Sequence, residues 1–231
     1  MSRAVLTSPV VQAVTSRQAE DGSWGENILG TRASARDGFK DVGTVAQYRR
    51  LIQLAYPRTA RSFKLADRLL FRLLSRDQDP ALLFEFQKAA RDVSDDMAEW
   101  LRNLHREAAT AALAEAGYME DPRIRGSAHR VASAVSAFLR SPLADNPFQR
   151  SGGVTVLNPE AHPPSWYSLA MVAAMPNLRR ERAGFTERLG QYLSLHATRR
   201  AYVIKLGRIV FGKGRCDRCL MLTSSSMNWS N

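Results

Sequence analysis

Apolar residues recur every three or four positions along most of the chain, which is the spacing of one face of an α-helix. The clearest run follows Arg61, where Leu65, Leu69 and Leu73 keep this spacing. The same period predicts eight helices. The first runs from Ser8–Pro9 through Val14, the second covers about 41–55, and the third begins near 61. The others cover residues 79–90, 94–117, 121–141, 165–175 and 176 to about 193. No convincing sheet pattern accompanies them. We therefore predict an all-α fold.

The ends of these helices carry capping residues. Ser8, Asp79 and Asp121 each stand directly before a proline, which is the pattern of a helix cap followed by proline at the first helical position. Gly117 is placed to end the long alanine-rich helix, because glycine adopts a positive φ at little cost. The predicted boundaries therefore rest on local chemistry as well as on periodicity.

Two segments lack the helical period. Residues 141–164 hold several prolines and glycines and are predicted to form the longest loop. Beyond Arg199, residues 202–211 favour extended structure, and residues 219–231 have the composition of a tail. We accordingly divide the chain into a helical domain, residues 1–198, and a basic, flexible C-terminal tail, residues 199–231.

The helices show a degenerate repeat. A helix over 45–55, Pro57 and a helix led by Phe63 parallel a helix over 166–175, Pro176 and a helix led by Phe185. A third, looser unit consists of residues 108–117 and the helix around Ser127. Because one helical hairpin cannot bury its own apolar face, such repeats predict a stacked or toroidal α/α array.

Positive charge is concentrated at the C-terminus. The 231 residues carry a formal charge of +11, of which the segment 199–231 holds +6 and residues 1–198 hold +5. In the body, acids and bases alternate as they do on solvated helix faces. We expect the tail to bind polyanions weakly and in a salt-sensitive manner, because such binding releases counterions.

Cysteine content and hydropathy exclude several classes of protein. Two cysteines, Cys216 and Cys219, cannot staple a fold of this length, and alone they lack the four ligands of a structural zinc site. We therefore predict no metal ligands. No apolar run approaches the roughly 18 residues of a membrane span, and residues 1–18 lack the apolar core of a secretory leader. We expect no transmembrane segment and a cytoplasmic location.

The segment Gln18–Glu26, which reads QAEDGSWGE, follows the first predicted helix. Asp21 and Gly22 are turn residues, and the turn is expected to fold Trp24 back against the helix just completed. Gln18 can then bond exposed backbone groups of that helix end or of a neighbouring one. By residue chemistry alone this segment is a clamp at a helix terminus.

As a pattern, Gln-x-x-x-Gly-x-Trp resembles the QW repeat of squalene cyclase and related members of the terpenoid cyclase and prenyltransferase-like superfamily. The resemblance implies a partial α/α toroid in which Gln18, Asp21, Gly22 and Trp24 form a structural motif. Residues 148–153 have the appearance of a decayed second copy without its tryptophan.

The catalytic residues that this resemblance implies are missing from the sequence. The cyclases protonate their substrate with an Asp-x-Asp-Asp motif, and the nearest string here, residues 92–96, is one residue too long. The Asp, Cys and His zinc ligands of protein prenyltransferases are not found either. The sequence therefore favours a protein without catalytic activity and leaves an enzyme as the alternative.

One carboxylate cluster is a candidate for catalysis. Asp95, Asp96 and Glu99 loosely match the pattern that holds magnesium diphosphate in terpene synthases, and Asp95 and Glu99 would share one helix face. Magnesium would be the cofactor only if this cluster is functional; otherwise no cofactor is expected. The alternative is that these acids complement the dipole of a helix capped by Ser94, and we favour it.

Three further residues are candidates for lining a ligand cavity. Trp166 and Tyr167, which follow Pro163 and Pro164, could line the inner mouth of a toroid, and His129 lies among arginines that could meet an anionic ligand. Core packing for the aromatic pair and a solvated helix start for His129 are the alternatives, and both are more common.

We favour a non-catalytic helical repeat protein whose concave face binds a protein partner, a second copy of the chain or an apolar ligand such as an isoprenoid. One alternative is an isoprenoid cyclase or prenyltransferase-type enzyme. A second is a non-specific binder of nucleic acid or another polyanion.

Overall fold

The computed structural model describes residues 5, 7–30, 43–75, 79–87, 95–151, 153–158, 160–161, 163–194, 200–206 and 209–216. Its α-helices are α1 (Pro9–Thr15), α2 (Thr44–Gln53), α3 (Arg61–Leu73), α4 (Asp95–Leu113), α5 (Pro122–Phe138), α6 (Trp166–Ala174), α7 (Pro176–Glu181) and α8 (Ala183–Ser194). Two 3-10 helices, Pro80–Phe86 and Pro142–Ala144, and a π turn, Ala114–Tyr118, complete the helical part. The prediction of a mainly helical fold is confirmed.

Helix α4 lies at the centre of this arrangement. It packs against α2, α3, α5 and α6, while α3 also contacts α2 and α5 also contacts α6. Its alanines at positions 108, 109, 111 and 112 are buried, and their small side chains let neighbouring helices approach closely. Helix α4 therefore holds these four helices together. Their arrangement as a partial toroid stays a prediction.

Several helix boundaries lie where the sequence predicts them. Asp79 and Asp121 accept hydrogen bonds from the backbone N–H groups of Ala81 and Arg123, and each is followed by proline at the first helical position. Ser8 occupies the same place before α1 without a side-chain bond. Gly117 adopts φ +89° in the π turn after α4. Local capping chemistry therefore sets these boundaries.

A four-stranded sheet was not predicted. Strands β1 (Phe148–Ser151), β2 (Val154–Leu157), β3 (Arg200–Leu206) and β4 (Ile209–Cys216) lie in that order. β1–β2 and β3–β4 are antiparallel hairpins, and β2 pairs with β3 in parallel at Val156↔Val203.

The sheet corrects two expectations. Residues 148–151 of the suspected second QW copy form a strand, because the β-forming run VTVL follows the glycine pair and pairs back onto them in a hairpin. Residues 200–206 and 209–216, expected to be a flexible tail with extended preference, pair with β2 through β3. Residues 217–231 lie outside the described residues, so the tail and the boundary after residue 198 stay predictions.

Within the described part of the chain, no helix is both long enough and apolar enough to cross a membrane.

Candidate functional site

The Gln18–Glu26 turn clamps three segments together. α1 ends at Thr15, so Gln18 lies in the turn beyond the helix and not on its last turn. The Gln18 side-chain amide donates to the carbonyl of Gly22 at 3.1 Å and to that of Ser62, in the first turn of α3, at 2.9 Å. The Asp21 carboxylate accepts the Ser23 backbone N–H at 2.8 Å, which closes the turn. Gln18 therefore bonds backbone groups of its own turn and of a neighbouring helix, as its position suggested.

Trp24 is the buried element of this clamp. Its side chain is 2% exposed, and its indole N–H donates to the carbonyl of Val14 in the last turn of α1 at 2.8 Å. Its backbone N–H donates to the hydroxyl of Thr44, the first residue of α2, at 3.1 Å. Trp24 thus folds back against α1 as predicted and also joins α1 to α2.

Gly22 is required at its position by both conformation and space. Its φ is +92°, in the region that favours glycine, and a Cβ there would lie 2.5 Å from the carbonyl oxygen of Leu65. Any side chain would therefore force the turn away from α3.

A groove of about 280 Å³ lies beside this clamp, between α1 and α2. Its apolar wall comes from one side of α1 together with the indole of Trp24, and its polar side comes from Arg17 and from α2. The lining residues are Pro9, Val10, Ala13, Val14, Arg17, Trp24, Gln47 and Arg50. Val10 is 43% exposed, so the groove presents apolar surface to solvent. Sequence reasoning missed this site because its walls come from segments some 30 residues apart.

Of the candidate magnesium cluster, the described side chains of Asp95 and Glu99 line neither the groove nor the pocket at His129. Asp95 begins α4 with an exposed side chain. Glu99, whose side chain is 45% exposed, pairs with Arg102 at 3.3 Å and with Arg106 at 3.1 Å. The side chain of Asp96 and residue 94 lie outside what the structure describes. Across the described residues, no three His, Cys, Asp or Glu side chains are placed to hold a metal ion.

His129 lines a second, smaller pocket of about 110 Å³ between α5 and α7. Its Nε2 lies 3.1 Å from Glu181, and its Nδ1 accepts a hydrogen bond from Arg182 at 3.3 Å. Arg125 lies 3.8 Å from the same Glu181. Both ring nitrogens of His129 are therefore engaged by neighbouring side chains.

Trp166 and Tyr167 were candidates for lining a ligand cavity. Trp166 is 47% exposed at the start of α6, and neither Trp166 nor Tyr167 lines either of the two pockets. Tyr167 is half-buried, and burial raises the pKa of its hydroxyl. Of the three candidates, His129 lines one of these pockets, and a cavity-lining role for Trp166 and Tyr167 stays a prediction.

Glu85 is a buried carboxylate that sequence reasoning missed. Its side chain is 0% exposed and accepts the backbone N–H groups of Ile28 at 2.9 Å and Leu29 at 2.7 Å. His105 of α4 lies 3.5 Å away and stacks on Phe86. The carboxylate therefore anchors the segment after the clamp to the 3-10 helix Pro80–Phe86. In the sequence, the indication that Glu85 is buried was its position inside the apolar run LLFEF.

Glu107 of α4 holds the start of α6. Its buried carboxyl accepts a hydrogen bond from the hydroxyl of Ser168 and interacts with Ser165, the N-cap of α6. Burial raises the pKa of this carboxyl and outweighs the hydrogen bonds, which act in the opposite direction. A lone acid in an alanine-rich buried stretch was the indication in the sequence.

We predict that Glu107 makes the protein less stable as pH rises. Its pKa in the folded protein lies above the ordinary 4.5, so the folded state retains a proton that the unfolded state releases. Its stabilising contribution is complete below pH 4.5 and is lost as pH rises towards the folded pKa. Urea unfolding of wild type and Glu107→Gln between about pH 4 and 8 should show the variant gaining in relative stability with pH. Parallel pH profiles would contradict this assignment.

Two further carboxylates tie helices together. Asp67 of α3 accepts hydrogen bonds from Tyr48 of α2 and, at 2.6 Å, from Tyr118. Burial and the bond to Asp67 raise the pKa of Tyr118 to about 12, and raise that of Tyr48 as well. Arg49 of α2 holds Glu115 through two bonds of 2.6 and 2.9 Å. These four carboxylates, Asp67, Glu85, Glu107 and Glu115, thus all hold structural partners.

Comparison with known protein families, curated proteins and solved structures finds no match. The resemblance to terpenoid cyclases therefore rests on the segment Gln18–Glu26 and on the succession of helices, and it stays a prediction.

Proposed function

We propose that this chain is a non-catalytic helical protein that binds an apolar ligand in the groove between α1 and α2. The observation that carries the proposal is the groove itself, which exposes Val10 and Ala13 beside the buried Trp24. Binding sites for small ligands are concave and mostly apolar, with few polar groups. The groove has this character, and the clamp holds its walls in place before any ligand arrives.

The carboxylates support a binding role over a catalytic one. A general acid must reach the reacting atom of a substrate. Asp67, Glu85, Glu107 and Glu115 instead bond tyrosines, backbone N–H groups, serines and an arginine. An enzyme that acts on isoprenoids remains the alternative. Contact of a bound ligand with Glu99 or Asp95 would support it.

The size of the groove sets the length of ligand to test. A volume of about 280 Å³ lies at the lower end of the range for small-ligand pockets, so a short chain is the appropriate probe. An eight-carbon alcohol is such a chain. The first probe is therefore 1-octanol.

We predict that 1-octanol shifts the methyl NMR signals of Val10 and Val14, and that Ala13→Phe weakens this binding by about tenfold or more. Ala13 is exposed and lines the groove, so a phenyl ring there fills the volume without disturbing the core. A tenfold loss corresponds to about 1.4 kcal/mol. The measurement is a titration of valine-methyl-labelled protein.

The matched control is Gln12→Phe. Gln12 lies next to Ala13 on α1, is exposed, and does not line the groove. Its variant should bind 1-octanol as the wild type does. If the valine methyls do not respond to 1-octanol, or if both variants lose binding equally, the groove is not the site.

A further inference from the structure

We infer that the ligand of this groove is an apolar acid, whose chain lies against α1 and Trp24 and whose anionic head meets Arg17 and Arg50. This inference rests on the proposed function and names the class of ligand. The head group is a carboxylate or a phosphate, because a guanidinium binds either with paired N–H donors.

The first support is the distribution of charge around the groove. Of its described lining residues, two are arginines and none is acidic. Arg50 lies in the last turn of α2, and Arg17 follows the end of α1, so the two cations come from different segments onto one cavity. Guanidinium groups from two segments therefore offer N–H donors to an anionic head group in the groove.

The second support is the apolar wall opposite these cations. Val10 and Ala13 present exposed apolar surface on this side, in front of the buried Val14 and Trp24. An apolar surface beside a guanidinium lowers the local polarity and strengthens its attraction for an anion. Both arginines also make interactions within the protein. A guanidinium has five N–H donors, so it can retain an internal partner and still bind a ligand.

The third support is size. A volume of about 280 Å³ suits a single short chain, and it is small for the several anchoring side chains with which an amphipathic helix fills a groove. A small acid therefore fits better than a protein partner, and the formal charge of +11 favours the approach of anions generally.

The test compares probes that share one chain length: octanoate, octyl phosphate and 1-octanol, each titrated at neutral pH with the methyl signals of Val10 and Val14 as readout. We expect at least one of the two anions to bind about tenfold more tightly than the alcohol at low salt, and this preference to shrink in about 0.3 M NaCl. Comparison of the two anions identifies the head group.

The variant Arg50→Gln should lower the preference for the anions over 1-octanol severalfold, because it removes one of the two guanidinium groups that meet the head group and leaves Arg17 in place. The affinity for 1-octanol is the internal reference, and an unchanged preference in this variant would overturn the inference. The control is Arg61→Gln, an exposed arginine at the start of α3 that does not line the groove. This control should retain the full preference for anions.

The outcomes separate the two proposals. Equal binding of octanol and both anions would overturn the inference and leave the binding function standing. If none of the three probes shifts the valine methyl signals, both the inference and the proposed binding function are overturned. Response only to an acidic amphipathic Glu/Leu peptide would overturn the inference in favour of a protein partner.

Discussion

Replacing Trp24 with alanine is expected to lower the free energy of unfolding by about 3–5 kcal/mol, the cost of removing a large buried aromatic side chain. The indole is 2% exposed and lies at the junction of α1 and α2. Truncation also leaves the Val14 carbonyl without its indole donor. Because small domains are stable by only about 5–15 kcal/mol, this is a large fraction of the total.

Urea unfolding followed by circular dichroism measures the effect of Trp24→Ala. The matched control is Trp166→Ala, since Trp166 is 47% exposed and its removal should cost far less. If Trp24→Ala fails to fold, Trp24→Phe keeps most of the ring and loses the N–H, and a smaller loss of stability is expected. A Trp24→Ala protein as stable as wild type would show that the clamp does not hold the fold.

Replacing Glu85 with glutamine should lower the free energy of unfolding by about 1–3 kcal/mol, the cost of leaving a buried hydrogen-bond donor without an acceptor. Each carboxylate oxygen accepts one backbone N–H, from Ile28 and from Leu29. A glutamine can offer only one oxygen, so its amide group would face an N–H donor and leave it unsatisfied. The segment 27–30 would then lose its anchor.

The control for Glu85→Gln is Glu99→Gln. Glu99 also loses a charge in this variant, but its side chain is half-exposed on two arginines, and such pairs contribute at most about 1 kcal/mol. Thermal and urea unfolding of both variants should separate them clearly. If the two substitutions lower the free energy of unfolding equally, the hydrogen bonds from Ile28 and Leu29 do not stabilise the fold as proposed.

Local features of the fold were predictable from the sequence. The leucine spacing after Arg61 predicted α3, and the pairs Asp79–Pro80 and Asp121–Pro122 marked helix starts that the structure contains. The turn chemistry of Asp21 and Gly22 predicted that Trp24 folds back on α1. These predictions succeed because helix periodicity, capping and turns depend on residues within a few positions of one another.

Features that depend on distant residues were not predictable in the same way. The β1–β2 hairpin was missed because its strands have only four residues each, too few for a clear alternation. Trp166 and Tyr167 were grouped with His129 as cavity residues, and of the three the structure places His129 at one of the two pockets. Exposure of an aromatic at a helix start depends on which neighbours pack over it, and the sequence does not contain that information in local form.

Residue order alone was enough to predict the main helices, the caps at Asp79 and Asp121 and the clamp around Trp24. Which acids are buried and which surface remains open depend on how distant segments pack. Glu85 and Glu99 are both acids in helical segments, yet one is enclosed by Ile28 and Leu29 and the other is half-exposed on arginines. The groove beside Trp24 likewise exists only where α1 meets α2. The reason is physical: hydrogen bonding within a helix is local, whereas burial depends on which distant segments the hydrophobic effect brings together.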